Sequence, residues 1–121
     1  MERRPILVVD DDDLILSSVE STLVDEGYPV VTAPDGAAAL DAVEQQSPAL
    51  ILLDMKMPIL DGWAFARAYR EQPEPRAPIV VMTAAADAAR RAADVGAEGY
   101  LAKPFDLEDL LSLVGRMMQK A

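Results

Sequence analysis

The stretch Pro5-Ile6-Leu7-Val8-Val9-Asp10-Asp11-Asp12-Asp13 sets four consecutive carboxylates directly behind an apolar run. A short run without polar alternation reads as a strand covered on both faces, as in a parallel sheet. Acidic residues at the carboxyl end of such a strand stand where open α/β sheets bind their ligands. Four more short apolar runs follow: Val30–Thr32, Leu50–Leu53, Ile79–Met82 and Gly99–Leu101. Helical periodicity fills the intervals. Ile15, Val19 and Leu23 recur at i, i+4 and i+8 before a stop at Gly27. Asp35-Gly36 opens an Ala-rich segment carrying Leu40 and Val43. Trp63 to Arg70 follows, with Phe65 and Tyr69 one turn apart, and Asp87 to Val95 is closed by Gly96. Leu107, Leu110, Leu111 and Val114 mark a last helix, with Asp106 expected as its N-cap and Asp109 at the capping-box position.

The alternation is (βα)₅, an α/β fold with a parallel sheet, helices on both faces and right-handed crossovers. A closed eight-fold barrel needs about twice this length. No repeat, linker or composition shift divides the chain. Gln72–Pro78, with three prolines, is too short to separate domains, so residues 1–121 are expected to form one domain.

Composition narrows the chemistry. Of 121 residues, 21 are Asp or Glu and 11 are Lys or Arg, a net charge of −10, which disfavours nucleic acid and anionic membranes as direct partners. At 51% hydrophobic the chain is no disordered acidic tail. The absence of both Cys and His removes thiolate chemistry, zinc fingers, His-based triads and imidazole proton shuttles. No apolar run approaches the roughly 18 residues that span a bilayer, and no signal peptide opens the chain, so a soluble cytoplasmic domain is expected.

The strand ends carry what remains. Asp10 and Asp11 follow the first run and Asp54 the third, Thr83 ends the fourth, and Lys103-Pro104 follows the fifth. With strand order 2-1-3-4-5, three carboxylates, a hydroxyl and an ammonium converge on one crevice. Crowded carboxylates repel unless a cation relieves them. An all-oxygen donor set selects a hard divalent ion such as Mg²⁺. Beside such an ion, Asp54 could attack phosphorus and form an aspartyl phosphate, with Lys103 neutralising charge from a second side and Thr83 donating to a phosphoryl oxygen.

The blocks ILVVDDDD, LLDMKMPILDG, Thr83-Ala84 and Tyr100-x-x-Lys103-Pro104, in this order and spacing, resemble the receiver domain of bacterial two-component response regulators, in its chemotaxis-regulator-like form. The resemblance covers essentially the entire chain and implies a flavodoxin-like three-layer sandwich with order 2-1-3-4-5. It implies that Asp54 accepts the phosphoryl group. Asp11 would hold Mg²⁺ (with Mn²⁺ as a substitute) directly, and Asp10 largely through water. The Lys56 backbone carbonyl would complete the protein ligands. Lys103 would pair with the phosphoryl oxygens, and its bond to Pro104 is expected to be cis. Thr83 would turn toward the phosphoryl group on activation, with Tyr100 packing inward behind it. Asp12 and Asp13 are not carried over as ligands. Asp13 is expected to cap the first helix, while Pro58 and Gly62 shape the loop after Asp54, Gly permitting φ > 0. Lys56 and Ala85 are expected to tune how fast the aspartyl phosphate hydrolyses.

The implied partners are a histidine kinase or His-phosphotransfer protein, and an output protein or tethered output domain. A second copy could bind through the face made by the fourth helix, fifth strand and fifth helix. Such a module catalyses its own phosphorylation and dephosphorylation but is not a metabolic enzyme. Two other readings compete. A Mg²⁺-dependent phosphohydrolase of haloacid dehalogenase type would use Asp10-x-Asp12, but Leu14 stands where that family has Thr or Val, and the chain is short for its cap. A non-phosphorylated pseudo-receiver would have little use for the intact set Asp10, Asp11, Asp54, Thr83 and Lys103.

Overall fold

The computed structural model describes residues 4–57, 59–73 and 76–119. Five strands, β1 (Ile6–Val9), β2 (Val30–Ala33), β3 (Leu50–Asp54), β4 (Ile79–Ala84) and β5 (Gly99–Lys103), alternate with five helices. These are α1 (Asp13–Asp25), α2 (Gly36–Gln46), α3 (Gly62–Arg70), α4 (Ala88–Val95) and α5 (Leu107–Gln119). The strands form one parallel sheet in the order β2-β1-β3-β4-β5, the doubly wound arrangement expected from the alternation.

The period of two along a strand splits each apolar run between two cores. Leu7, Val9, Ile51, Leu53 and Val81 point to one face and pack with Ala39, Val43, Phe65 and Val95 from α2, α3 and α4. Ile6, Val8, Leu50, Leu52, Val80 and Met82 point to the other and meet Val19 and Leu23 of α1 and Leu110 and Val114 of α5. The central strands are fully buried, which is why their sequences lack alternation. Phe65 and Tyr69 stack with centroids 5.8 Å apart, and the Tyr69 hydroxyl accepts from Ala77 N–H at 2.7 Å.

Four strands run further than their apolar runs suggest. β2 includes Ala33, β3 includes Asp54, β4 includes Thr83 and Ala84, and β5 includes Ala102 and Lys103. Ladder pairing continues through these residues because their neighbours supply partners, whatever the side chain.

Helix starts differ from expectation in three places: at the cap of α1, at α3, which begins at Gly62 and not Trp63, and at α4, which begins at Ala88 and not Asp87. Asp12, not Asp13, caps α1: its carboxylate accepts from Leu14 N–H at 2.9 Å and Ile15 N–H at 3.3 Å, while Asp13 is the first helical residue. The run of four aspartates offers two candidate caps, and the exit angle of the chain from β1 chooses between them. An Asp12→Ala substitution is therefore expected to cost about 1 kcal/mol in urea denaturation, and Asp13→Ala clearly less. Asp87 stands at the cap position of α4 without a capping bond; its carboxylate faces Arg90 and Arg91, each at 3.5 Å. The Asp106 carbonyl opens α5 by accepting from Leu110 N–H.

Candidate phosphoryl-acceptor site

Register assembles the site. Val9 lies opposite Leu53, so Asp10 and Asp54 come side by side one residue further along β1 and β3. Asp54 lies opposite Met82, which puts Thr83 one step beyond it, and Ala84 lies opposite Lys103. The chain reverses its direction of winding between β1 and β3, so the crevice for a ligand opens at these residues.

Asp10, Asp54 and Thr83 are buried, whereas Asp11 is exposed at the rim. One carboxylate oxygen from each of Asp10, Asp11 and Asp54 lies within 4.8 Å of the other two. Ligands of one octahedral dication with bonds of about 2.1 Å stand roughly 3–4 Å apart, so modest side-chain rotation would close the three oxygens on an ion. The donors are all oxygen, and the residues fit a small hard cation.

Lys103 reaches across from β5. Its Nζ donates to Asp10 Oδ2 at 2.7 Å and lies 3.5 Å from Asp54 Oδ1. The other Asp10 oxygen, Oδ1, accepts from Asp12 N–H at 2.9 Å, which fixes the carboxylate against the chain turn leaving β1. Burial pushes the Asp54 carboxyl up to about 6, and the charge of Asp10 adds to this. Lys103 and the Lys56 N–H, which donates to the Asp54 carboxylate, pull the other way. For Lys103, burial works against the ammonium, but hydrogen bonding to Asp10 and the charges of Asp10 and Asp54 outweigh it and hold the group above its ordinary value. The cluster thus couples one ammonium to three carboxylates, and adding an anion there requires further positive charge.

The remaining sequence-derived positions surround this centre. The Lys103–Pro104 peptide bond is cis. Lys56 and Ala85 are exposed, on the loop after Asp54 and in the turn after β4. Tyr100, on the outer strand β5, is 50% exposed, so in this structure its ring does not pack inward behind Thr83. Pro58 lies outside the described residues.

Gly62 plays a different part from the one expected of it. Its φ is not positive; the positive value in this loop belongs to Ile59, at 71°. What Gly62 provides is space, because a Cβ there would lie 2.7 Å from Met55 Cα and 2.8 Å from the Asp54 carbonyl oxygen. Its N–H donates to Met55 O at 3.0 Å and closes the loop onto the end of β3. A second contact ties the loop to α2, where Gly36 N–H donates to Leu60 O at 3.0 Å. Sequence reasoning passed over Gly36 as a site-supporting residue; the Asp-Gly pair before each of α2 and α3 is the signal that both helices begin against a neighbouring backbone.

Trp63 partly buries against the core, and the Arg91 guanidinium of α4 lies 4.6 Å above its ring, joining α3 to α4. Among the described residues no helix is long and apolar enough to cross a membrane.

Comparison with known proteins agrees with this geometry. The family model described as the response regulator receiver domain matches residues 6–115. Proteins named response regulator MprA from Mycobacterium sp. (strain KMS) and Mycobacterium avium (strain 104) are each 40% identical over 117 residues, 95% of this chain. The chain spans about half the length of these curated relatives, 50% and 51%. Among solved structures, the receiver domain of NtrX from Brucella abortus superposes with a TM-score of 0.87 at 31% identity, covering 96% of this chain and 99% of that one. The chemotaxis response regulator CheY4 of Vibrio cholerae gives 0.86 at 35% identity with the same coverage. Neither the phosphohydrolase nor the pseudo-receiver alternative finds support among these relatives. Order of strands, placement of the acidic cluster and similarity over nearly the full length agree: the chain belongs to the response regulator receiver domain family, the receiving module of two-component signalling.

Proposed function

We propose that the domain accepts a phosphoryl group on Asp54 from the phosphohistidine of a histidine kinase or His-phosphotransfer protein. The observation that carries this reading is the convergence of Asp10, Asp11, Asp54 and Lys103 at the carboxyl ends of β1, β3 and β5, beside Thr83. An Asp54 oxygen attacks phosphorus in line, the P–N bond to imidazole breaks, and the electron pair stays with the departing nitrogen, which is then protonated. Mg²⁺, or Mn²⁺ in its place, held by Asp10, Asp11, Asp54 and the Lys56 carbonyl, would neutralise charge on the phosphoryl oxygens. Lys103 is positioned to exchange part of its pairing with Asp10 and Asp54 for a phosphoryl oxygen, and the Thr83 hydroxyl to donate to another.

The product biases a two-state equilibrium. Movement of Thr83 toward the phosphoryl group would vacate space behind β4, and Tyr100, half-exposed on β5, would turn inward to fill it. The α4-β5-α5 face is remodelled and serves an output protein, a tethered output domain or a second copy. The curated relatives are about twice as long as this chain, which supports the tethered arrangement, and a phosphohistidine donor goes with a cytoplasmic module. It acts as a switch whose only catalysis is its own phosphorylation and dephosphorylation.

Intact-mass and peptide mapping after incubation with acetyl phosphate test the reading. Incorporation is expected with Mg²⁺ and to vanish with a chelator, and the adduct is expected on Asp54. A label on Asp10, or none in the presence of Mg²⁺, overturns it. Lifetime of the adduct is a separate measurement. Ala85 offers no polar group to orient an attacking water, so Ala85→Glu and Lys56→Asn variants are expected to change the lifetime by several-fold. Two unchanged lifetimes would remove both positions from the tuning role.

A further inference from the structure

Ile59 breaks two local rules at once. It is a β-branched residue at φ 71°, where glycine or asparagine is the residue at ease, and its side chain is 81% exposed. Such a backbone state is costly for a β-branched residue, and an exposed isoleucine repays little of it within the free domain. Ile59 belongs to neither hydrophobic core. A residue that weakens the isolated fold in this way has its use in a complex.

Geometry says which complex. Gly62 abuts the Asp54 carbonyl, since a Cβ on it would lie 2.8 Å from that oxygen. Ile59 is three residues away, and three residues of chain reach at most about 11 Å. A protein that docks over Asp54 and buries about 800 Å² on this side covers a disc of roughly 16 Å radius. Ile59 therefore falls inside the footprint of a protein donor centred on Asp54, and its exposed side chain is not one of the buried groups, Asp10, Asp54 and Thr83, that line the crevice itself. Leu14, at the start of α1, is also 81% exposed, and Leu107, at the start of α5, 42%; both stand at the same carboxyl end of the sheet. Apolar side chains thus rim an acidic crevice, a surface suited to a donor whose reactive histidine is flanked by apolar residues.

We propose that Ile59 is a docking contact for the phosphohistidine-bearing protein, one that raises the rate of protein-to-protein transfer at the expense of the free domain's stability. The inference rests on Asp54 being the acceptor, as proposed above. It is tested with Ile59→Asn, which tolerates the left-handed backbone but presents a polar group, and with Ile59→Val, which keeps the apolar contact. Three readouts are compared with wild type: the melting midpoint, labelling by acetyl phosphate, and labelling by a panel of autophosphorylated histidine-kinase catalytic cores. For Ile59→Asn the midpoint is expected to rise by about 3 °C. Acetyl phosphate labelling should stay within about twofold, and the rate from the fastest core should fall about tenfold or more. Ile59→Val should transfer at close to the wild-type rate. Equal core-dependent rates in wild type and Ile59→Asn overturn the inference, as does a panel in which no core labels wild type faster than acetyl phosphate. A wild-type domain that acetyl phosphate fails to label with Mg²⁺ present instead overturns the acceptor assignment, which involves no donor protein.

Discussion

An Asp54→Asn variant is expected to take up no phosphoryl group and to be more stable than wild type in chelator-treated buffer at pH 7. The loss of labelling follows from removing the attacking oxygen, because an amide carbonyl is too weak a nucleophile toward phosphorus. The gain in stability follows from the same burial that makes the site reactive. Asp54 sits beside Asp10 with its carboxyl pushed from 3.8 up to about 6, so ionising it in the folded state is harder than in the unfolded chain. Two pH units of displacement correspond to about 3 kcal/mol, and counting the Lys103 contact that Asn weakens, a gain of about 2 kcal/mol is expected. Between pH 4 and 6 the native protein holds more proton than the unfolded one. Wild-type stability should therefore fall as pH rises through this window and level off above it. The variant should lack this component, so the two stability curves diverge from pH 4 and run parallel above 6. Mg²⁺ should narrow the gap by stabilising wild type more than the variant. Urea titrations at several pH values decide the matter. A variant less stable than wild type at pH 7 would mean that Asp54 is held by favourable pairing rather than strained by desolvation.

Gly62→Ala should be among the most damaging single-methyl additions in the domain. The new Cβ would meet Met55 Cα at 2.7 Å and the Asp54 carbonyl oxygen at 2.8 Å, and both belong to backbone at the end of a buried strand. Neither can yield without shifting β3 or the start of α3, and a cost of roughly 2–4 kcal/mol is expected. Because the shift falls on Asp54 itself, labelling by acetyl phosphate should drop with it. Gly115→Ala is the matched control. Nothing lies within 4 Å of a Cβ at Gly115, which sits inside α5, so the same chemical change should there stabilise by about 0.5–1 kcal/mol. Denaturant midpoints moving in opposite directions, with unchanged slopes, would bear this out. A tolerated Gly62→Ala would show that the end of β3 is softer than its burial implies.

Much of this site was legible because parallel α/β folds send ligands to strand ends, and the runs before Asp10, Asp54, Thr83 and Lys103 announce those ends directly. Periodicity located the start of every helix to within a residue or two, while α5 runs on past its last periodic residue, Val114, to Gln119. What periodicity missed depended on turn geometry and close backbone approach, which it does not encode. Asp12 and Asp13 precede the same apolar stripe and are equal candidates for the cap on the sequence; only the turn fixed by Asp12 N–H donating to Asp10 separates them. A glycine in a loop signals freedom without saying whether angle or volume is needed, and here the positive φ belongs to Ile59 while Gly62 supplies volume.

The sequence by itself determined the class of fold, the inventory of reactive groups and which strand end each occupies, for these follow from local periodicity and residue chemistry. The tertiary structure alone decided the relations among those groups. Lys103, 93 residues from Asp10 along the chain, lies 2.7 Å from it because of ladder register and β5's place next to β4. The Asp54 carboxyl is pushed up to about 6 because it is buried in the assembled sheet and the pairing of β3 with β1 brings Asp10 alongside. Register and burial are properties of the assembled sheet; a pattern of residues along one strand does not contain them.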